Sequence, residues 1–381
     1  MSDKQSFAIQ AGALRAAFAR AVAVTERRNT IPILAHLHLE AKDGVLTVRA
    51  TDLEIRISIE AKGDGDLPPI TASAARLAAL LPHIREEQTV TLTRAKGGQL
   101  ELAAGTMRVQ LFALEVEDFP TEAAPAWAAK WTVPAGDLRA LLDRTMHAVS
   151  TEETRYYLNG IYLHPPHDDE ARNLRAASTD GHRLMLAEIP LPAGDMPLAG
   201  ILPRKTANIL RAMLAQLPPG RPVEARQTDS RIEFQAGSWT FNSKLIDGTF
   251  PDYRRVMPAD GLGEALQILD PRRMMEAIQS VSAISDERSR PIRVTNGSGL
   301  AVTLHCRQPE NGEAQLDVPA EVAAWASNGA HPEFGVQARY LLDTLRVFRG
   351  GEGLTFRVED GRAPIRVTGA EGVAVLMPMR V

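Results

Sequence analysis

The 381-residue chain holds one cysteine, Cys306, which excludes an internal disulfide framework and any multi-cysteine zinc site. Long hydrophobic runs are missing as well. No stretch approaches the roughly 18 apolar residues of a membrane span, and residues 1–10 lack a basic start followed by an apolar segment. A cytoplasmic protein with no membrane contact is therefore expected. The chain has no Gly-x-x-x-x-Gly-Lys-Ser/Thr loop for ATP and no Gly-x-Ser-x-Gly elbow for a nucleophile. Any energy-dependent step must come from a partner. A basic excess is lacking too: 43 Lys and Arg against 47 Asp and Glu give a formal net charge of -4. Nucleic-acid-binding domains usually show the opposite balance, unless the two signs are segregated, because the local potential matters more than the sum.

What is present is a soluble globular composition, 44% hydrophobic and 24% charged, in a chain long enough for two or three domains. A threefold internal repeat runs through it. Residues 11–24, 135–149 and 270–284 each carry an amphipathic helix pattern. In the first, Leu14, Phe18, Ala21 and Val22 recur at helical spacing, with Arg15 and Arg20 off the stripe. In the second, Leu138, Leu141, Leu142, Thr145 and Val149 form the stripe, and Arg139 and Arg144 lie outside it. In the third, Met274, Met275, Ile278 and Val281 follow Pro271, which a first helical turn tolerates.

Alternating strand-like runs such as 46–50, 55–59 and 300–304 follow, then second helices at 73–81, 204–217 and 338–348. Landmarks recur in register: Ala50-Thr51-Asp52 matches Ser178-Thr179-Asp180, and Phe119-Pro120 matches Phe250-Pro251. A period of roughly 130 residues is too long for a solenoid. It reads as three copies of one α+β domain, with helices packed on one side of antiparallel sheet. The expected domains are 1–122, 131–254 and 263–381, joined by linkers within 115–130 and 251–263.

Several segments admit both a plain and a functional reading. Asp180 and His182 could form an acid–base pair, but Asp180-Gly181 also makes a tight turn, which is the preferred reading. No catalytic residue, metal or cofactor is expected. The loop 246–258, with Phe250, Tyr253 and Val256, is either a crossover packing its aromatics inward or a place where peptides dock. The apolar end at 373–381 is a last strand, the lip of an apolar pocket, or both. Arginines off the apolar stripe are ordinarily solvated; their recurrence in all three copies suggests one shared surface.

In order and spacing, Arg155-Tyr-Tyr-Leu-Asn-Gly160, Thr179-Asp-Gly-His-Arg-Leu184, Phe250-Pro-Asp-Tyr-Arg-Arg-Val256 and Met377-Pro-Met-Arg380 resemble the bacterial beta clamp family, the beta subunit of DNA polymerase III. The likeness covers essentially the whole chain. It implies a non-catalytic processivity factor: a homodimer closed into a ring around double-stranded DNA, with helices lining the hole and antiparallel sheets outside. Only a weakly basic inner face is then needed. The implied partners are a clamp loader complex, the DNA polymerase III alpha subunit, translesion polymerases and mismatch-repair proteins.

The resemblance also implies residue roles. A peptide-binding cleft would draw on Arg155, Leu158, Thr179, Gly181, His182, Arg183 and Leu184 from one part of the chain. Pro251, Arg255, Val256 and Tyr340 would join them, with Val375, Leu376, Met377, Pro378, Met379 and Arg380 from the end. DNA contacts would be Arg28, Glu152, Tyr156, Tyr157 and Lys205, and the ring contact would set Ala283 and Ile284 of one chain against Val109 and Leu111 of the other. The chain departs from the family pattern at Val109, Glu152, Gln337, Val381 and His305-Cys-Arg-Gln308. A specialised second clamp copy, plasmid-borne or damage-linked, stays open beside the main reading, as, further off, does a hydrolase using Asp180 and His182.

Overall fold

The computed structural model describes every residue outside 1–5, 27–29, 96, 167–171, 286–289, 330, 349, 351–352 and 381. Six α-helices lie where the six patterns put them: α1 Ala11–Val22, α2 Ala74–Leu80, α3 Ala135–Thr145, α4 Arg204–Leu214, α5 Pro271–Ser282 and α6 Ala338–Val347. Each stops short of its pattern, and after several of them the chain tightens into i→i−3 bonds. After α3, whose Thr145 hydroxyl donates back to the Leu141 carbonyl, the chain continues as a 3₁₀ turn over Met146–Ala148. After α4, Gln216 and Leu217 donate to carbonyls three residues back. None of these helices is long and apolar enough to cross a membrane.

The helix starts repeat a device. At α1 the N–H groups of Ala11 and Gly12 donate to the Gln88 and Glu86 carbonyls at 2.9 and 3.0 Å. At α3 those of Ala135 and Gly136 donate to Arg221 and Pro219, both at 2.8 Å. Orphan donors of a first turn are thus satisfied by a loop from the same repeat. The third copy solves the problem differently: Pro271 has no N–H to satisfy, and the Asp270 carboxylate caps Arg272 and Arg273.

The described chain divides into two compact units, the first 1–137, 191–198 and 205–245, the second 138–190, 199–204 and 246–381. Each contains a nine-stranded antiparallel sheet, with a five-stranded sheet beside it in the first unit and a four-stranded one in the second. The large sheets join strands from neighbouring repeats. In the first unit Trp239–Lys244 pairs with Ile55–Lys62; in the second, Arg183–Pro190 pairs with Gly372–Leu376. The middle repeat is therefore shared between the units.

Apolar stripes face these sheets. Leu14, Phe18, Leu138, Leu141, Leu142, Met274, Ile278 and Val281 are all buried, whereas Val22 and Met275 are only half-buried. At one end of each smaller sheet an edge strand has no partner on its outer side among the described residues, Met107–Leu111 in one and Gly312–Val318 in the other.

Candidate functional site

The matched Thr-Asp segments build the same turn twice. Thr51 Oγ1 donates to the Ile55 carbonyl and accepts from Leu53 N–H, while Asp52 Oδ1 accepts from the N–H groups of Glu54 and Ile55. Thr179 and Asp180 repeat this with Arg183, Gly181 and His182. The left-handed position is Leu53 (φ 76) in the first turn and Gly181 (φ 88) in the second. Glycine adopts that conformation without strain, and a Cβ there would meet only the movable end of Arg155, 2.9 Å from its Nη1. Asp180 is fully committed to this turn and to Arg183 Nε at 3.0 Å, and the His182 ring stacks on Tyr340 with centroids 6.0 Å apart. This is a capped turn, not an acid–base pair.

Around the second turn lies an apolar floor of Leu158, Ala177, Leu184, Ile201, Phe250, Tyr253 and Val375, all buried. Phe250 stacks on Tyr162 with centroids 4.9 Å apart. Leu376 is buried beside it, in register with Arg183. Exposed groups rim the floor: Arg155 on the 3₁₀ segment Glu153–Leu158, Gly181 and His182 in the turn, then Pro251 just before, and Arg255 and Val256 on, a 3₁₀ turn that Asp252 caps. The tail is held by backbone bonds from Met377 N–H to the His182 carbonyl and from Met379 N–H to the Gly335 carbonyl, both 2.9 Å. Met377 is exposed, Pro378 and Met379 are half-buried and Arg380 is exposed. The structure thus brings the expected cleft residues of the second unit together.

Arg183 is the buried charge of this site. Its side chain, 6% exposed, meets Asp180 and Asp343, the latter at 2.7 Å, and lies over Tyr340. Asp343 also holds Arg346 at 2.6 Å. Sequence reading missed Asp343, although it follows Tyr340 by three positions on α6 and so shares its face. Nearby, a cavity of about 540 Å³ is lined by Asp143, Arg144, His147, Asp343, Arg346 and Glu371. Burial, and then the Arg183 charge, push the His147 pKa down to about 4.

Of the expected DNA contacts, Arg28 lies outside the described residues. Glu152 pairs with Arg155 at 3.1 Å, and Tyr156, exposed, meets half-buried Tyr157 edge to face. These belong to the second unit. In the first unit, Lys205 Nζ is 2.5 Å from Asp52 Oδ2 and 3.3 Å from Glu26. Burial works against its charge, but Asp52 and Glu26 outweigh that and hold its pKa above the ordinary lysine value. Two helix arginines are also engaged: Arg15 with Glu86 and the Ile84 carbonyl, and Arg20 with Gln216.

The expected ring-contact residues lie at or beside two of the sheet edges, one on each smaller sheet. Val109 and Leu111, half-buried, are on the outer strand Met107–Leu111, opposite Leu102 and Leu100. Ile284 is half-buried just beyond α5, its Cδ1 3.6 Å from where a Cβ on Gly312 would stand, and its carbonyl accepts from Asn311 Nδ2. Ala283 is exposed. An apolar neighbour that sequence reading passed over is Phe112, 81% exposed at the end of the outer strand.

Comparison with known proteins gives three adjoining matches to models of the DNA polymerase III beta subunit: its N-terminal domain over residues 5–123, central domain over 132–252 and C-terminal domain over 254–380. The chain is 36% identical over 379 residues to the beta sliding clamp of Caulobacter vibrioides, covering 98% of this chain and 99% of that one. It is 28% identical over 362 residues to that of Escherichia coli, with 93% and 94% covered. A crystal structure of a DnaN sliding clamp from Bartonella birtlesii bound to griselimycin is similar with a TM-score of 0.91 at 33% identity, over 99% of this chain and 100% of that one. A Caulobacter crescentus beta sliding clamp structure gives 0.92 at 35% identity, over 99% of each chain.

Proposed function

This chain belongs to the DNA polymerase III beta subunit family and is a DNA sliding clamp, a non-catalytic processivity factor; from that premise we propose that two copies close head to tail into a ring around duplex DNA, each offering one peptide cleft. The observation that carries closure is the pair of open sheet edges, one beside Val109 and Leu111, the other beside Ile284. The two surfaces differ, so each must meet the other kind on a neighbour, and such contacts either close into a ring or grow into a filament. Closure after two copies leaves neither of these two edges bare. The helices would then line the hole, with Lys205, Tyr156 and Tyr157 towards DNA.

For partner capture we infer a peptide lying over the floor of Leu158, Leu184 and Val375, between the turn that carries Val256 and the tail at Met377. Exposed apolar groups around a prebuilt floor suit Leu or Phe anchors, and methionine adapts to different ones. Affinity should be around micromolar, because the contact is small and the free peptide must be ordered. The clamp loader, the polymerase III alpha subunit, translesion polymerases and mismatch-repair proteins would share this cleft in the cytoplasm.

Topological binding is tested by loading the protein with an ATP-driven loader onto nicked circular DNA and washing with high salt. Phosphate contacts weaken steeply with salt, so the protein should stay on the circle yet leave once the circle is cut. Equal loss from circular and linear DNA would sink encirclement.

A further inference from the structure

The cleft floor does not stop at Leu184 and Val375. These two are cross-strand partners, and two residues along the same strands Leu186 and Val373 are partners as well. Side chains two apart share a face and a strand rises about 3.3 Å per residue, so the second pair lies about 7 Å beyond the first. Leu186 and Val373 line a separate cavity of about 350 Å³. Tyr253 belongs to both places, packed into the floor and lining the cavity.

Three arginines, Arg175, Arg254 and Arg366, line this cavity, and among the described residues no acidic one does. Two have close carboxylates of their own: Arg175 meets Glu188 at 2.8 Å and Arg254 meets Asp252 at 2.7 Å. Arg366 is different. Its side chain is 16% exposed, its nearest carboxylate is that of well-exposed Asp260 at 3.8 Å, and one terminal nitrogen donates to the Pro258 carbonyl. Its Nε is buried without a hydrogen-bond partner. A buried donor lacking an acceptor is costly and marks a place for one.

We propose that this cavity receives a carboxylate carried by the peptide docked in the cleft, an Asp or Glu side chain flanking its apolar anchors. Arg366 is the principal partner, Arg254 the second, and Leu186, Val373 and Met257 pack the methylenes leading to the acid. The planar guanidinium fork matches a carboxylate, and the continuous strand face gives the peptide a path from floor to cavity. The proposal rests on the cleft reading above.

The test uses a labelled peptide with Leu and Phe anchors, extended at either end by paired glutamates or by paired glutamines, titrated against the full chain. Glutamate at one end should tighten binding about fivefold over glutamine, the gain of one partly exposed charge pair, and the gain should shrink with added salt. Arg366→Gln and Arg254→Gln should each reduce that gain while binding the glutamine peptide like the parent protein. Equal affinity for acid and amide peptides at both ends overturns the proposal and leaves the cleft reading standing; a gain that both variants retain does the same. Failure of every peptide to bind overturns the cleft reading and this proposal with it. Should Arg366→Gln unfold, Arg254→Gln, at an exposed site, still decides.

Discussion

The guanidinium carbon of Arg183 lies 4.5 Å from the centre of the Tyr340 ring, so an arginine of the second repeat and a tyrosine of the third pack together beside the proposed cleft. Breaking a buried ion pair commonly costs 3–5 kcal/mol. Asp343 keeps Arg346 when Arg183 is lost, so Arg183→Ala should cost about 3 kcal/mol, the low end of that range. Urea unfolding of the two proteins measures it. A loss below about 1 kcal/mol would place this network among ordinary surface pairs.

Ile284→Arg sets an unpaired charge at the edge we assign to the ring contact. Burying it there should cost several kcal/mol at each contact, enough to yield a folded monomer in sedimentation. A dimer that persists at nanomolar concentration would remove Ile284 from the interface.

Deleting residues 377–381 removes two backbone hydrogen bonds, from Met377 and Met379, and leaves the strand Gly372–Leu376 in place. At about 1 kcal/mol per bond, melting should fall by only a few degrees, while the apolar peptide should lose its binding. Unchanged affinity in the intact truncated fold would show that the tail is no part of the cleft.

Asp52→Asn keeps the oxygen that caps Glu54 and Ile55 but removes the charge that holds Lys205. The ammonium, left with Glu26 at 3.3 Å as its carboxylate partner, carries more unneutralised charge and should strengthen binding to linear duplex, the dependence of log K on log salt steepening by up to about 0.9 for the phosphate gained. An unchanged salt slope would mean that Lys205 does not face DNA.

His147 gives a pH signature. Its folded pKa of about 4 lies below its ordinary 6.5, so the fold favours the neutral ring. Its contribution is complete above pH 6.5 and is lost as pH falls towards 4, on the order of 3 kcal/mol in all. His147→Gln should flatten that acid-side decline in denaturant titrations at pH 7.5 and 5. Parallel declines in both proteins would assign the effect to other groups.

How much of this was legible in the sequence follows from how local each signal is. Helical periodicity and turn chemistry lie within a few residues: the helices stand where they are expected, Asp180-Gly181 forms its expected turn, and Thr51-Asp52, matched to Thr179-Asp180 as a landmark, forms the same one. Partners distant in the chain leave no local trace. That 373–376 forms a strand can be read from its apolar run, but its pairing with Arg183–Leu186 cannot. Asp343, 160 residues from Arg183, escaped for the same reason. Arg15 and Arg20 read as solvated helix charges, yet carbonyl and amide acceptors from other segments engage them. Whether a surface arginine is free depends on neighbours that periodicity does not name.

The pairing of Arg183–Pro190 with the last strand also bears on how the protein is made. A ribosome delivers the middle-repeat strand long before its neighbour Gly372–Leu376, which lies roughly 190 residues later, a wait of about 10 to 40 seconds at ordinary elongation rates. Throughout that interval the edge of Arg183–Pro190 lacks the neighbour it pairs with in the finished sheet. The second unit therefore completes its large sheet only once Gly372–Leu376 has been made, and until then the open edge of Arg183–Pro190 is a surface for a chaperone to cover.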